Sequence, residues 1–248
     1  MNTRVITAAL AVSAILTVGG CKNAKDKLAT AAAATDTVAA VPDTAANTAT
    51  YTLGTFTDSR DGNVYRIVEI GRQTWYAENL NYAADGSVCY ENSPDSCAKY
   101  GRLYDWNTAM TACPAGTHLP TNDEWTTLME FIGGESKAGT KLKSSMGWIY
   151  FNGIPAGTDD YGFSALPGGK GGSNGNFWGS GDHGHWWSAT KDTTTQRQLD
   201  NDEGDLWITL VDINNLVWTL YIYHYVQDVG RSSEEKNRLL SVRCVQND

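Results

Sequence analysis

Basic charge is scarce in this chain of 248 residues: 19 Lys and Arg stand against 28 Asp and Glu, a formal net charge of −9. Nucleic-acid binding rests on a basic surface, so that class is disfavoured from the outset. Histidines number only four, and no Ser/His/Asp arrangement or pair of carboxylates stands out as a catalytic motif. No C-x-x-C pair occurs and the cysteines lack zinc-like spacing, which argues against a structural zinc site. Beyond the N-terminus no apolar run approaches the roughly 20 residues of a membrane span. Prolines number six against 25 glycines, a balance that predicts many turns and strands. The chain is nevertheless 41% hydrophobic and 10% aromatic, with nine Trp. That content excludes disorder throughout and suffices for one domain with a real core.

The N-terminus reads as an address. Arg4 supplies positive charge, and Val5 to Val18 form an apolar stretch too short for a stable span. It ends in Val18-Gly19-Gly20-Cys21, which resembles a bacterial lipobox. Small residues there let a signal peptidase approach the backbone, and the thiol of Cys21 takes the lipid. Residues 1–20 are therefore expected to be a lipoprotein signal peptide. Residues 21–50 are rich in Ala and Thr, with too few large apolar groups to offset the entropy of ordering. They are expected to tether a domain at residues 51–248 to a membrane, with the outer membrane favoured because Lys22 follows Cys21.

With Cys21 lipidated, Cys89, Cys97, Cys113 and Cys244 remain, an even number that suits disulfides in an exported chain. Of three connectivities, Cys89–Cys97 with Cys113–Cys244 is favoured. The first closes a short loop of turn residues and the second staples the chain end to the first half of the domain.

Local patterns predict the elements. Asn63 to Ile70 and Gln73 to Leu80 read as a hairpin around Gly71-Arg72, followed by a loop over residues 81–101. Tyr104 to Met110 reads as a short helix. Thr121 and Glu124 form a capping box before a helix that Gly133-Gly134 ends, and a weaker helix spans Glu135 to Ser144. Tyr161 to Leu166 and Trp186 to Thr190 read as strands. Asp205 to Ile213 and Leu216 to Val226 read as a hairpin around Asn214-Asn215, with Trp207 facing Ile222 and Val211 facing Trp218. Leu239 to Val245 closes the domain.

Candidate sites are few. Tyr221, Tyr223 and Tyr225 alternate on one face of a strand, and Trp178 sits in a Gly-rich loop; such rings either stack on sugars or pack a core. Asp182-His183-Gly184-His185 reads as solvent-facing or turn histidines rather than metal ligands. The cluster Asp200, Asp202, Glu203 and Asp205 is a candidate Ca²⁺ site, although it does not match an EF-hand loop. No other cofactor is expected.

Several strings together resemble one family. They are Gly71 to Tyr82, Tyr100 to Trp106, Cys113 to Thr121 with Glu124-Trp125, Gly162 to Gly169, Trp186 to Thr190, and Ser241 to Val245. In this order the chain is similar to the Fibrobacter succinogenes major paralogous domain. The Leu119-Pro120-Thr121…Glu124-Trp125 and Arg243-Cys244-Val245 strings also resemble C-type-lectin-like and formylglycine-generating-enzyme-like folds. The resemblance implies a single α+β, C-type-lectin-like domain with twisted antiparallel sheets and two or three short helices. It implies, too, a disulfide from the helical region to the last strand, and core positions for Trp75, Trp106, Trp125, Trp186 and Trp187, which lie inside these strings. It carries no established activity. The expectation is a non-catalytic, lipid-anchored envelope protein whose ligand is a polysaccharide or another envelope protein. A structural or protein-interaction lipoprotein is the alternative, and an enzyme of formylglycine-type descent comes third.

Overall fold

Consecutive aromatic residues decide how the domain is layered. In a strand, successive side chains point to opposite faces, so an aromatic pair serves two cores at once. In the computed structural model, which describes residues 52–151, 153, 157–193 and 215–247, this happens twice. Trp75 packs with Trp125, Phe163, Trp186 and Leu220 in one core, while its neighbour Tyr76 packs with Tyr104, Trp187, Val242 and Cys244 in a second. Trp186 and Trp187 divide in the same way. All five tryptophans assigned to the core are buried.

Two sheets carry these residues. The first contains β1 (Thr52–Thr57), β2 (Val64–Ile70), β3 (Gln73–Tyr76), β5 (Thr117–His118) and β12 (Val245–Gln246), in the antiparallel order β1-β2-β3-β12-β5. The β2–β3 turn is tight because Gly71 has φ +67°, and a Cβ there would lie 2.9 Å from the Phe131 ring. The second sheet runs β10 (Gly230–Glu235), β9 (Leu216–Tyr223), β8 (His183–Lys191), β11 (Leu240–Ser241) and β4 (Leu103–Tyr104). A hairpin of β6 (Gly168–Gly171) and β7 (Phe177–Ser180) joins β8 through Gly169. Both β6 and β11 lie parallel to β8, so this sheet is mixed rather than wholly antiparallel.

Among the described residues four α-helices complete the α+β domain, one more than the upper expectation: α1 (Pro94–Tyr100), α2 (Trp106–Ala112), α3 (Asn122–Phe131) and α4 (Glu135–Leu142). Three of the starts have a local cause. Pro94 opens α1, where its missing N–H costs nothing. The Asp105 carboxylate accepts from Thr108 N–H at 2.8 Å and caps α2. The capping box of Thr121 and Glu124 is fully formed at α3.

The last segment is a polar spine. Arg243 is fully buried, and its guanidinium donates to Tyr76 O, Phe163 O and Asn79 Oδ1 at 3.0, 2.7 and 2.9 Å. The same Asn79 oxygen accepts from Trp186 Nε1 at 2.9 Å, and the Asn79 amide donates to Tyr100 O. With Ser164 O at 3.4 Å as the fourth, four carbonyl-type acceptors stand in place of a carboxylate around Arg243, and burial lowers its pKa from the ordinary value to about 9. The disulfides are Cys89–Cys97 and Cys113–Cys244, with Cα separations of 5.0 and 5.9 Å.

Several expected elements differ. The second hairpin strand stops at Tyr76; Ala77 N–H still bonds Arg66 O of β2, and Leu80 N–H then turns to Val242 O. The 81–101 loop contains α1, and the helix expected at Tyr104 starts two residues later behind its Asp105 cap. Tyr161 to Leu166 forms no strand; only Ala165 makes an isolated bridge, to Lys143. Leu216–Tyr223 is not half of a hairpin around Asn214-Asn215 in the expected register. Its edges are taken by β8 and β10, so Trp218 stands opposite Ser233 and Ile222 opposite Gly184. Asp205 to Ile213 lie outside the described residues, as do residues 1–50. The closing strand divides: Leu240–Ser241 pair in one sheet and Val245–Gln246 in the other, with Val242 to Cys244 crossing between them.

Candidate functional site

The pleat of β8 and β9 sorts their residues. One face sends Trp186, Leu220 and Ile222 into the first core. The other face places His183 opposite Tyr223 and His185 opposite Tyr221. His185 stacks on Tyr221 with centroids 5.5 Å apart, and the His183 ring meets His185 at 4.7 Å and Tyr223 at 5.2 Å. The row continues outward from Tyr223 to Tyr225 at 5.2 Å, then to Phe151 at 6.1 Å. Exposure rises along it, from 2% at His185 to 43% at Tyr225 and 49% at Phe151. The histidines are therefore buried strand residues, not the solvent-facing turn residues expected. H-x-H spacing on a strand puts both rings on one face, and that face is covered.

The cover comes partly from the β6–β7 hairpin. A Cβ on Gly179, which has φ +75°, would lie 1.9 Å from His183 Nε2, so only glycine lets the backbone close over this imidazole. Burial holds the pKa of His183 below the usual value and that of His185 well below it. Lys170 pushes both further down, while Asp182 opposes the shift at His183. Burial also raises the phenol of Tyr223, and the neighbouring Tyr225 and Tyr221 add to the effect. At the outer end, His224 Nδ1 hydrogen-bonds the Asp182 carboxylate.

Charged side chains span the same region. Lys170 of β6 donates to Glu234 of β10 at 2.6 Å. Arg238 Nε lies 3.5 Å from the other oxygen of Glu234, and its guanidinium carbon is 5.9 Å from the ring centroid of Trp178. Trp178 is 39% exposed. The four aromatic residues singled out from the sequence are thus half-buried or exposed. Tyr221, Tyr223 and Tyr225 form a continuous row, and Trp178 joins the region through Arg238, Glu234 and Lys170.

Sequence reasoning missed Phe151, Lys170, Glu234 and Arg238. Lys170 and Glu234 are 64 residues apart and lie in polar stretches without a motif, so no local signal could have paired them. Phe151 ends the apolar string Trp148-Ile149-Tyr150-Phe151, a visible signal that went unused. Cys21 and the acidic residues Asp200, Asp202, Glu203 and Asp205 lie outside the described residues. Among the described residues no group of three His, Cys, Asp or Glu side chains is placed to hold a metal, and no helix is long and apolar enough to cross a membrane.

An α+β domain with two disulfides and an aromatic, charge-rimmed sheet face defines the class. Residues 68–246 match the model of the Fibrobacter succinogenes major domain, and the chain belongs to that family. No curated protein and no solved structure matches it.

Proposed function

We propose that this chain is a lipid-anchored cell-envelope protein whose domain is a non-catalytic, lectin-like module that binds polysaccharide. The observation that carries the reading is the row Tyr221, Tyr223, Tyr225 and Phe151, whose rings adjoin and become progressively exposed. Flat amphipathic rings suit the CH-rich faces of sugars and their flanking hydroxyls. The anchor rests on the lipobox-like string ending at Cys21 and on the Ala/Thr-rich segment after it. All four domain cysteines are in disulfides, which supports an exported protein and argues against a catalytic thiol.

Two measurements test this. The intact mass of the mature protein is expected to show an acyl adduct on Cys21 and a gain of about four protons on reduction. Pull-down on insoluble polysaccharides is expected to retain the protein, and Tyr225→Ala is expected to weaken retention about tenfold, some 1.4 kcal/mol. Unchanged retention in Tyr225→Ala would remove the aromatic row from the argument. A second reading, a protein-interaction lipoprotein, is favoured by the exposed run of Met146, Ile149, Tyr150 and Phe151. Concentration-dependent self-association in sedimentation, insensitive to sugars, is its expected signature.

A further inference from the structure

Nine buried polar side-chain atoms among the described residues make no hydrogen bond, and three of them belong to two neighbouring residues on one face of β8: His183 Nδ1 and His185 Nδ1 and Nε2. Such atoms are rare in folded proteins, and their concentration on one sheet face calls for an explanation. His185 is 2% exposed, so both of its ring nitrogens are buried without compensation. The charges beside them are also unbalanced. Lys170 and Arg238 share the single carboxylate of Glu234, at 2.6 and 3.5 Å. Within that trio one positive charge is left over, on a chain whose net charge is −9, and the other carboxylate near His183, Asp182, is bonded to His224. That surplus stands beside the exposed ring of Trp178, with the Arg238 guanidinium carbon 5.9 Å from its centroid. The Arg238 side chain is 38% exposed, so its guanidinium can take a second anionic partner from solution.

We propose that the region of Trp178, Arg238 and Lys170 is a subsite for a carboxylate-bearing sugar, so that the polysaccharide recognised is an acidic one. This rests on the polysaccharide reading above and narrows it. The Trp178 ring stacks on the pyranose face. The sugar carboxylate supplies the anion that Lys170 and Arg238 lack, by the planar pairing that a guanidinium favours. A neutral sugar would leave the surplus charge uncompensated. The His183 ring packs against Gly179 of the β6–β7 hairpin that carries Lys170 and Trp178, and Lys170 lowers the pKa of both buried imidazoles. A bound anion there offsets the field that Lys170 imposes on them.

The test uses the full chain with Cys21→Ser, which keeps every domain residue. Tryptophan fluorescence titration compares sodium polygalacturonate with its fully methyl-esterified form, a matched polymer without the negative charge. The acidic polymer is expected to bind at least tenfold more tightly, with affinity falling as salt is raised. Arg238→Gln and, separately, Lys170→Gln are expected to abolish most of that preference, with unfolding midpoints recorded as a control. Equal binding of both polymers overturns the proposal but leaves the polysaccharide reading standing. A preference for the acidic polymer that survives both substitutions also overturns it, because the charge recognised would then lie elsewhere. Binding to neither polymer, nor to any neutral polysaccharide in the pull-down, defeats both.

Discussion

Removing the Cys113–Cys244 bridge is expected to destabilise this domain more than removing the Cys89–Cys97 bridge. The two cysteines are 131 positions apart, whereas Cys89 and Cys97 are eight apart. In the chain-entropy model, opening the long loop frees the unfolded ensemble by roughly 5 kcal/mol, and opening the short one by roughly 2.6 kcal/mol. The long loop contains α3, α4 and β6 to β11, so the bridge restrains most of the second sheet. Cys244 is fully buried in the second core, between β11 and β12. A domain stability of about 5–15 kcal/mol means the loss would take a third or more of the total. The assay is urea unfolding of Cys113→Ala/Cys244→Ala and Cys89→Ala/Cys97→Ala, followed by the fluorescence of buried Trp75, Trp125, Trp186 and Trp187. With a urea slope of about 2.5 kcal/mol/M, the first variant should unfold about 2 M earlier and the second about 1 M earlier. A smaller shift in the first variant than in the second would refute the reasoning. It would mean that residual structure in the unfolded chain, or compensation in the native core, outweighs loop length.

Three further outcomes are expected. His183 and His185 have folded-state pKa values below the ordinary 6.5, so the unfolded chain takes up protons first. Stability should fall as pH drops below about 6.5, by up to about 2.7 kcal/mol per unit for two protons, and His185→Phe should flatten the fall between pH 7 and 5.5 in urea titrations. Lys143 is buried, donates to Val226 O at 2.7 Å, and has a pKa lowered from 10.5 to about 8 by burial. Stability should therefore rise by up to about 1.4 kcal/mol per unit above pH 8, and the rise should be missing from Lys143→Met. The comparison belongs at pH 7.5–9.5, because buried Tyr76 and Tyr104, with raised pKa values, act in the opposite direction above pH 10. Thr121→Ala removes a hydroxyl that accepts from Glu124 N–H, and should cost about 1 kcal/mol in thermal or urea unfolding.

What was legible in the sequence is what short-range chemistry decides. The capping box of Thr121 and Glu124 needs only residues three apart, and its helix lies where that signal places it. The β2–β3 hairpin follows from Gly71 and the alternating apolar residues around it. The five tryptophans inside the family-like strings are buried, whereas the equally large Trp178 is 39% exposed, and of the three pairings open to four cysteines the structure has the favoured one. Where the local signal was weak or misleading, distant partners decided. Thr52–Thr57 and Gly230–Glu235 carry little apolar pattern and become strands because β2 and β9 offer them free edges. Asn214-Asn215 signalled a hairpin, but both edges of β9 went to β8 and β10. The closing strand divided because Val242 to Cys244 must carry Arg243 into its cage of carbonyls. The candidate site shows the same split. The sequence alone singled out Trp178, Tyr221, Tyr223 and Tyr225 as aromatic and alternating. Only the tertiary structure joined them to Phe151, buried His183 and His185 and drew Lys170 to Glu234 across 64 residues, because charge pairing and face-sharing depend on strand order rather than on sequence distance.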